Sequence, residues 1–389
     1  MAGHKRIGIL TGGGDVPGLN AAIKAVVRRA QMYDIEVLGL RRGWMGPLSI
    51  NPDDPGTLTQ WTVALTPERV RTVDRTGGTF LHSSRTNPSN VRPEKVPPFV
   101  REEDKVLTEK GTYDCTRHVL RVLDFLNLDA LISIGGDDTL SYAARLHREG
   151  FQVMAIPKTM DNDVRGTDYC IGFSTAITRT VNLITDFRTT VGSHERIGII
   201  EVFGRYAGET AFFSGLLADV DRIAIPEVPF DMDRLIRLLA EDREDNPSHY
   251  AILVISEGAY PVGGSMVVSG EADAYGHRKL GGIGYIVAEE IKKRTGIRTM
   301  YQQLGYVMRS GPPDMLDRMV AMNYGTLAVD ALAQDKSGLM TALQKGQYTL
   351  VSLDEVAKGS RKLDVDMFYD VEQYRPKVRK IEGLPMFLY

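Results

Sequence analysis

The sequence Ile-Gly-Gly-Asp-Asp at 134–138 places two acidic side chains behind an apolar run and two glycines. The apolar run is typical of a buried strand. Asp137 is a candidate Mg²⁺ ligand, because this hard cation prefers oxygen ligands. A second adjacent carboxylate repels the first and needs its own explanation. The alternative interpretation is a solvated acidic loop that caps the next helix, since Asp138 and Thr139 are both good N-caps.

A second acidic loop, Pro-Lys-Thr-Met-Asp-Asn-Asp at 157–163, directly follows another apolar run. Asp161 and Asp163 alternate, so an extended turn lets both side chains face one side. One carboxylate can then act as a general base while the other helps to organise a metal ion. Lys158 offers a point charge to a phosphate oxygen. A turn merely rich in Asp and Asn explains one such pair, but not a third acidic loop at a third strand end.

The third loop is the glycine-rich segment Leu-Thr-Gly-Gly-Gly-Asp-Val-Pro-Gly-Leu-Asn at 10–20. Its three consecutive glycines permit close approach of the backbone, and a helix is predicted to begin near Gly18. Backbone N–H groups and a helix N-terminus together form an anion site. The segment matches neither G-x-G-x-x-G nor the Walker A pattern, so a tight strand–helix turn remains the alternative.

Several arginines stand beside glycine or at the predicted strand ends. The guanidinium group is suited to bidentate recognition of phosphate. Any one of these residues is more often part of a surface ion pair than a ligand. Five of them beside three acidic loops argue for a site that binds two phosphorylated molecules. They are Arg85, Arg196, Arg205, Arg298 and Arg309.

Short apolar runs that alternate with amphipathic stretches must position these loops. Strands alternating with helices imply βαβ units and mostly parallel sheets, so the predicted fold class is α/β. Ligands of such folds bind outside the carboxyl ends of the strands, where this sequence concentrates its Gly, Asp and Arg. The helix after the first strand has Ala22, Val26 and Ala30 on one face. The predicted strands are 6–10, 35–40, 130–134, 152–157, 196–202 and 250–256.

Four segments interrupt the pattern. Residues 51–75 and 87–113 are predicted to be surface insertions or mobile flaps, because they are polar or rich in proline. The glycine-rich segment 261–284 is predicted to be a flexible loop. The tail 368–389 is too aromatic for a disordered end, and we expect it to pack on this or a neighbouring subunit.

Composition narrows the class of protein. A net charge of −3 over 389 residues gives no global reason to bind nucleic acid or an anionic membrane. No apolar run approaches the ~18 residues of a membrane span, and the first residues do not resemble a signal peptide. Cys115 and Cys170 have no metal-ligand spacing. We therefore expect a cytoplasmic protein with no nucleic-acid or membrane partner.

The ordered set of motifs resembles the phosphofructokinase family. It includes TGGGDVPGLNAAI, GGTFLHSSR, IGGDD, PKTMDND, SHERIGIIEVFGRYAG and LGYVMRSG, in the family's order. The resemblance implies two Rossmann-like three-layer αβα domains with mostly parallel sheets and an active site in the cleft between them. Residues 1–172 with 310–360 would form the phosphoryl-donor domain and 173–309 the sugar-phosphate domain. Residues 361–389 would be a C-terminal extension.

The resemblance also implies roles for the motif residues. Asp161 would be the general base on the 1-hydroxyl of the sugar, and Asp137 would bind Mg²⁺. Arg205 would steady the transferring phosphoryl group. Gly14 and Arg85 would lie at the donor site. Beside the base would stand Thr159 and Asp163.

The sugar phosphate would be bound by a second set of residues. Arg196 and Arg298 would come from a neighbouring subunit and hold the far phosphate, which implies a homo-oligomer, either a dimer or a tetramer. The residues within the chain would be Phe203, Gly204, Glu257, Tyr306 and Arg309.

Two departures from the ATP-using members indicate a different donor. Those members carry glycine at the position of Asp138 and generally at that of Lys158. A carboxylate against the α-phosphate position of a nucleotide adds bulk and like-charge repulsion, whereas pyrophosphate ends before that position. Asp138 with Lys158 therefore resembles the pyrophosphate-dependent branch. The predicted reaction is Mg²⁺-dependent, reversible transfer from pyrophosphate to fructose 6-phosphate, giving fructose 1,6-bisphosphate and phosphate, in glycolysis or gluconeogenesis.

Alternatives remain open at this point. They are an ATP-dependent enzyme of the same family, and sedoheptulose 7-phosphate as the acceptor. A lipid or NAD kinase is disfavoured because it lacks the MDND and FGRYAG motifs. A catalytically silent regulatory subunit is disfavoured by the intact acidic and arginine set, and a Rossmann dehydrogenase by the missing G-x-G-x-x-G turn.

Overall fold

The structure is a computed structural model that describes residues 6–269, 272–276, 278–377 and 382–383. In chain order the strands are β1 (Arg6–Thr11), β2 (Glu36–Leu40), β3 (Thr62–Leu65), β4 (Val106–Leu107), β5 (Tyr113–Asp114), β6 (Ala130–Gly135), β7 (Val153–Pro157), β8 (Ile197–Val202), β9 (Arg222–Ala224), β10 (Ala251–Ser256), β11 (Val268–Ser269), β12 (Lys279–Leu280), β13 (Thr299–Gln303), β14 (Leu339–Gln344), β15 (Gln347–Ser352), β16 (Tyr369–Asp370) and β17 (Arg375–Pro376). The helices are α1 (Leu19–Gln31), α2 (Met45–Ser49), α3 (Leu58–Trp61), α4 (Thr116–Phe125), α5 (Asp137–Arg148), α6 (Phe173–Ser193), α7 (Glu209–Leu217), α8 (Met232–Asp245), α9 (Ile283–Thr295), α10 (Met315–Ala333) and α11 (Val365–Phe368).

The larger sheet has seven strands in the order β15-β14-β7-β6-β1-β2-β3. The five inner strands run parallel, and β3 and β15 are antiparallel edge strands. Every residue of β6 and of β7 is buried. A strand covered on both faces needs a continuous apolar run, which is why these two strands were visible in the sequence.

The smaller sheet has four parallel strands in the order β13-β8-β10-β9. Its central strands β8 and β10 are buried along their whole length. Helices α7, α8 and α9 each contact this sheet. Two mostly parallel sheets flanked by helices confirm the predicted α/β class. The proposed domain boundaries stay a prediction.

Helix α1, which follows the glycine-rich loop of the larger sheet, packs as its apolar pattern predicts. The predicted face of α1, formed by Ala22, Val26 and Ala30, is fully buried. It packs against α10, whose Gly325 lets the backbone of Ala22 approach closely. The start of α1 near Gly18 is also confirmed, because the helix begins at the next residue.

The prediction that 51–75 is a surface insertion was wrong for its second half. Trp61, Val63, Leu65 and Val70 are buried, and β3 closes one edge of the larger sheet. Only two of the four β3 side chains are apolar and buried, so the strand signal was weak among polar neighbours. In 87–113, Val91 and Val100 are buried with Cys115 in a small separate cluster, so that segment is not wholly superficial either.

The segment 261–284 contains a short antiparallel pair, β11 with β12, while residues 270, 271 and 277 lie outside the described part. The described part of the tail packs on its own chain. Phe368, Tyr369 and Tyr374 are buried, and the backbone N–H of Ile223 donates to the carbonyl of Tyr374 at 2.8 Å. Residues 378–381 and 384–389 of the predicted tail lie outside the described residues.

Within the described ranges, the structure has no helix that combines the length and the apolar character needed to cross a membrane.

Candidate active site

Three loops meet at the carboxyl ends of the neighbouring strands β1, β6 and β7. The N–H of Gly12 donates to the carbonyl of Ile134 at 2.9 Å, and that of Lys158 donates to the carbonyl of Gly135 at 2.9 Å. The sheet hydrogen bonding therefore continues into the loops themselves. These bonds fix the glycine-rich turn and the two acidic loops side by side, as the strand-end argument predicted.

A cavity of about 430 Å³ lies between these loops and the loops that follow the strands of the smaller sheet. A second cavity of about 160 Å³ opens beside it, on the side of the two adjacent aspartates. The two share part of their walls. Of the predicted site residues, those lining one or both are Gly14, Arg85, Asp137, Asp138, Lys158, Thr159, Asp161, Asp163, Phe203, Arg205, Glu257, Tyr306 and Arg309.

The glycines of the first loop lie close to two cationic side chains. A Cβ at Gly14 would lie 2.5 Å from Nη1 of Arg309, so the loop of the larger sheet meets an arginine that follows β13. Gly13 has a φ of +78°, and a Cβ there would lie 3.1 Å from Nζ of Lys158. The loop therefore brings its backbone within reach of two cations. This arrangement suits an anionic ligand.

The acidic pair occupies the first turn of α5. The helix N-cap is Gly136, and no side chain caps the helix. The interpretation of Asp138 or Thr139 as the N-cap was therefore wrong, because the helix begins two residues before Thr139. Oδ1 of Asp137 accepts from the N–H of Asp138 at 2.9 Å. Partial positive charge at the helix N-terminus offsets part of the repulsion between the two carboxylates.

Lys158 is a buried cation on the wall of both cavities. Only 4% of its surface is exposed. Burial, together with the nearby positive charges of Arg309 and Arg85, lowers the pKa of its ammonium group to about 8. The negative charge of Asp137 acts in the opposite direction. A cation held at this depth gains from the arrival of an anionic ligand.

Asp161 has the environment of a general base. Burial raises the pKa of its carboxyl to about 6, against the cationic influence of Arg309 and Arg205. Its N–H donates to Oγ1 of Thr159 at 3.2 Å. Among the described residues, Oδ1 of Asp161 has no hydrogen-bond partner. Burial also raises the pKa of Asp163, and the charge of Asp161 adds to that effect. An unpartnered buried oxygen beside a cleft is able to accept a proton.

The wall formed by loops of the smaller sheet places two aromatic rings next to one guanidinium. Arg309 lies over the rings of Tyr306 and Phe203, at 4.8 Å and 5.8 Å from their centroids. Glu257 is 9% exposed, and burial raises the pKa of its carboxyl to about 8. Gly204, with a φ of +134°, accepts from Oγ of Ser256 at 2.6 Å, so it shapes the turn behind the cavity wall.

Arg196 and Arg298 are not brought into this cleft. Each stands directly before a strand of the smaller sheet, at its amino end, whereas the cleft lies at the carboxyl ends. The six residues of β8 separate the two edges by roughly 20 Å at ~3.3 Å per residue. Neither side chain can reach the cavity of its own chain.

The acidic residues do not form a closed metal cage. Across the described residues, no three His, Cys, Asp or Glu side chains are grouped to hold a metal ion. Mg²⁺ is commonly bound by one or two carboxylates together with substrate phosphates and water. The carboxylate of Asp137, together with room for phosphates in the smaller cavity, fits that kind of site.

Sequence reasoning missed several residues at this site. Tyr275 lines the smaller cavity, and its hydroxyl donates to the carbonyl of Thr86 at 2.9 Å. Asp273 pairs with Arg85 at 3.3 Å. Both lie in the segment predicted to be a flexible loop, and an Asp-Ala-Tyr turn within it was the available signal. Two more, Ser360 and Arg361, come from the C-terminal part of the chain, where no local pattern marked them.

Comparison with known proteins agrees with the motifs. The family model described as phosphofructokinase matches residues 6–332. A protein of Amycolatopsis mediterranei named pyrophosphate–fructose 6-phosphate 1-phosphotransferase is 38% identical over 371 residues, covering 95% of this chain and 99% of the relative. One of the same name from Dictyoglomus thermophilum is 37% identical, covering 95% and 98%. An ATP-dependent 6-phosphofructokinase of Streptomyces coelicolor is also 37% identical, covering 91% and 95%.

Solved structures agree on the fold. The pyrophosphate-dependent phosphofructokinase of Nitrosospira multiformis superposes with a TM-score of 0.76 at 18% identity, covering 98% of this chain and 95% of that one. The enzyme of the same description from Marinobacter aquaeolei gives 0.74 at 20% identity, covering 96% and 88%. At these identities the likeness concerns the fold.

Proposed function

This chain belongs to the phosphofructokinase family, and we propose that it transfers a phosphoryl group from pyrophosphate to the 1-hydroxyl of fructose 6-phosphate. The proposed reaction depends on Mg²⁺ and runs in both directions, because pyrophosphate and the product ester are closer in energy than ATP is to that ester. Its products are fructose 1,6-bisphosphate and phosphate. We further propose that the reaction takes place in the cytoplasm.

The observation that carries the donor assignment is that Asp138 and the buried Lys158 both line one small cavity. The carboxylate of Asp138 adds negative charge where a longer donor would continue, and Tyr275 adds bulk at the same wall. Pyrophosphate is shorter than a nucleotide and would end before it reaches Asp138 and Tyr275. Lys158 offers its ammonium group to the phosphate oxygens that do enter.

The chemistry follows from the charges around the cleft. Asp161 accepts the proton of the sugar hydroxyl as that oxygen attacks phosphorus in line. Arg205 and Lys158 stabilise the charge that develops on the transferring group. Asp137 would hold Mg²⁺, which supplies further neutralisation of phosphate charge when bound. Catalysis is thus mostly positioning and electrostatic stabilisation.

The sugar phosphate would be bound by Glu257, the turn after β8 and Arg309. The glutamate, partly shielded from water, would accept from sugar hydroxyls. Arg196 and Arg298 stand at the far edge of the smaller sheet, so they could bind a sugar phosphate only in the cleft of a second copy of the chain. We propose a homo-oligomer in which these arginines complete the site of a neighbour.

The deciding experiment measures initial rates with pyrophosphate or ATP as donor, each with fructose 6-phosphate or sedoheptulose 7-phosphate, in the presence and absence of Mg²⁺. The proposal expects the highest kcat/KM for pyrophosphate with fructose 6-phosphate, and loss of activity with a chelator. A higher kcat/KM with ATP would contradict it. That second candidate is favoured by one observation, the similar identity of the ATP-dependent Streptomyces coelicolor relative.

A further inference from the structure

The chain returns to the acidic loop 158–168 after β15. Arg361 meets the backbone of this loop at three points. Its N–H donates to the carbonyl of Asp163 at 2.7 Å. Its guanidinium donates to the carbonyls of Asn162 at 2.7 Å and Thr167 at 3.0 Å. One residue therefore satisfies three carbonyls of the loop that carries Asp161.

The same guanidinium forms a buried ion pair. Nη2 of Arg361 lies 2.9 Å from Oε2 of Glu209 in the first turn of α7, and Glu209 is 1% exposed. That oxygen also accepts from Nδ2 of Asn162 at 2.9 Å. Removing one partner of a buried ion pair is strongly destabilising to the local structure, because it leaves an uncompensated charge. Arg361 thus joins the acidic loop to α7, a helix that packs on the smaller sheet.

The loop carries two buried carboxyl groups, those of Asp161 and Asp163. Asp163 interacts with the like charges of Asp161 in the same loop and of Asp137 and Glu209 in neighbouring helices. Asn162 has a φ of +55°, in the left-handed region that few non-glycine residues adopt. A loop with these features relaxes toward water unless neighbouring contacts hold it.

The residue before Arg361 reaches the other acidic loop. The hydroxyl of Ser360 donates to Oδ2 of Asp137 at 3.3 Å. Two consecutive residues therefore contact both acidic loops. They lie outside the segment 6–332 that the family model matches. The C-terminal part of the chain is thus physically part of the site.

We propose that Arg361 is a positioning residue for phosphoryl transfer, which holds the backbone of the acidic loop so that Asp161 faces the substrate hydroxyl. It acts through the loop and touches no substrate. The inference rests on the proposed function only for the reaction that is measured. The contacts themselves do not depend on the identity of the donor.

The test compares Arg361→Ala and Arg361→Lys with wild type and with a control, Arg375→Ala. Arg375 stands in the same C-terminal part, pairs with Asp242 at 2.7 Å and donates to the carbonyl of Asp221 at 2.8 Å, away from the acidic loop. Because a displacement of ~1 Å costs on the order of 100-fold in rate, kcat of Arg361→Ala should fall by about that factor. The KM for the sugar phosphate should change less than about threefold, since its ligands stand on other loops.

Arg361→Lys should lose about tenfold in kcat, because an ammonium group cannot reproduce the fork of a guanidinium. Added methylguanidinium should restore part of the activity of Arg361→Ala. Arg375→Ala should keep wild-type kcat, even where its melting temperature falls. If Arg361→Ala does not fold, Arg361→Lys carries the test. Wild-type kcat in a folded Arg361 variant would overturn the proposal.

Hydrogen exchange supplies a readout that does not require activity. In Arg361→Ala or Arg361→Lys the amides of the acidic loop should exchange faster, whereas in Arg375→Ala they should exchange as in wild type. Unchanged exchange in the Arg361 variants would overturn the inference. A wild type inactive with pyrophosphate would instead count against the proposed function, and the exchange result would still decide the role of Arg361.

Discussion

The backbone N–H of Asp138 donates a 2.9 Å hydrogen bond to Oδ1 of Asp137 in the first turn of α5. The carboxylate of Asp137 thus accepts hydrogen bonds from the backbone of Asp138 and from the hydroxyl of Ser360. Both Asp137 and Asp138 line the smaller cavity. Gly136, and neither aspartate, occupies the N-cap position. The two adjacent charges therefore have to be explained by what they face, which is the smaller cavity.

Replacing Asp138 by glycine should admit ATP. The change restores space and removes one negative charge near the position of a nucleotide's α-phosphate. Close like charges in a desolvated site cost several kcal/mol, so the gain in ATP-dependent kcat/KM should be at least about tenfold, or ~1.4 kcal/mol. Pyrophosphate use should fall. Steady-state kinetics with both donors measures this change. An unchanged donor preference would show that Asp138 does not exclude ATP.

Lys158→Gly is the matched variant for the donor test. It should damage pyrophosphate use without admitting ATP, because the carboxylate of Asp138 still blocks the way. The double variant should be the best ATP enzyme of the three. Equal ATP activity in the single Lys158 variant and the double variant would contradict this order.

Asp161→Ala should lower kcat by several orders of magnitude, because the proton of the attacking hydroxyl loses its acceptor. Affinity for the sugar phosphate should change little, since Arg309 and Glu257 remain. Stopped assays with equilibrium binding of the sugar phosphate measure both quantities. Near-normal kcat in the variant would show that another group takes the proton.

If each active site is built from two subunits, two inactive variants should restore activity when they are mixed. If Arg196 of one subunit completes the site of another, Asp161→Ala and Arg196→Ala enzymes are each nearly inactive alone. A mixed dimer contains one site with both residues intact, so mixing should restore part of the activity. Mass spectrometry of differently tagged subunits establishes exchange. Proven exchange without recovery would show that Arg196 does not complete the site of a neighbouring subunit.

Burial of Glu257 should make stability fall as pH rises. Its pKa is raised from 4.5 to about 8 in the folded state, so the folded protein binds the proton more tightly than the unfolded chain. This stabilisation is fully present below the pKa that Glu257 has in the unfolded chain, 4.5. It is lost as pH rises to the folded pKa of about 8, with a slope of up to ~1.4 kcal/mol per pH unit. Glu209, with a pKa raised to about 7, acts in the same direction.

Chemical unfolding at about pH 5 and about pH 8 measures this effect. Glu257→Gln removes the titrating group while keeping its shape, so the difference between the two unfolding free energies should become smaller than in wild type. An equal difference in both proteins would mean that Glu257 does not titrate in this range.

Local patterns in the sequence determined most of the two sheets. Buried parallel strands such as β6 and β10 need continuous apolar runs, and a helix such as α1 needs a one-sided apolar face. Both requirements concern neighbours within about ten residues, so they are visible without a structure. Because loops follow strands, the acidic and glycine-rich segments were also placed correctly at the strand ends. In the described part of the two sheets, the strands that were not predicted are β3, β9, β13, β14 and β15. In β3 the two buried side chains stand among polar ones.

Tertiary structure decided which of these segments meet. Phe203, Tyr306 and Arg309 follow strands of one sheet, yet they face Gly14 and Asp161 from the other, and no short-range pattern encodes that approach. In the sequence, Arg196 and Arg298 stand beside glycine or at a strand end, as Arg205 does. In the structure, however, they lie at the opposite edge of the smaller sheet. Arg361 reaches the acidic loop from 199 positions beyond Asn162. Side chains so far apart in sequence are brought together by the packing of the whole core, and a single sequence carries no local trace of that contact.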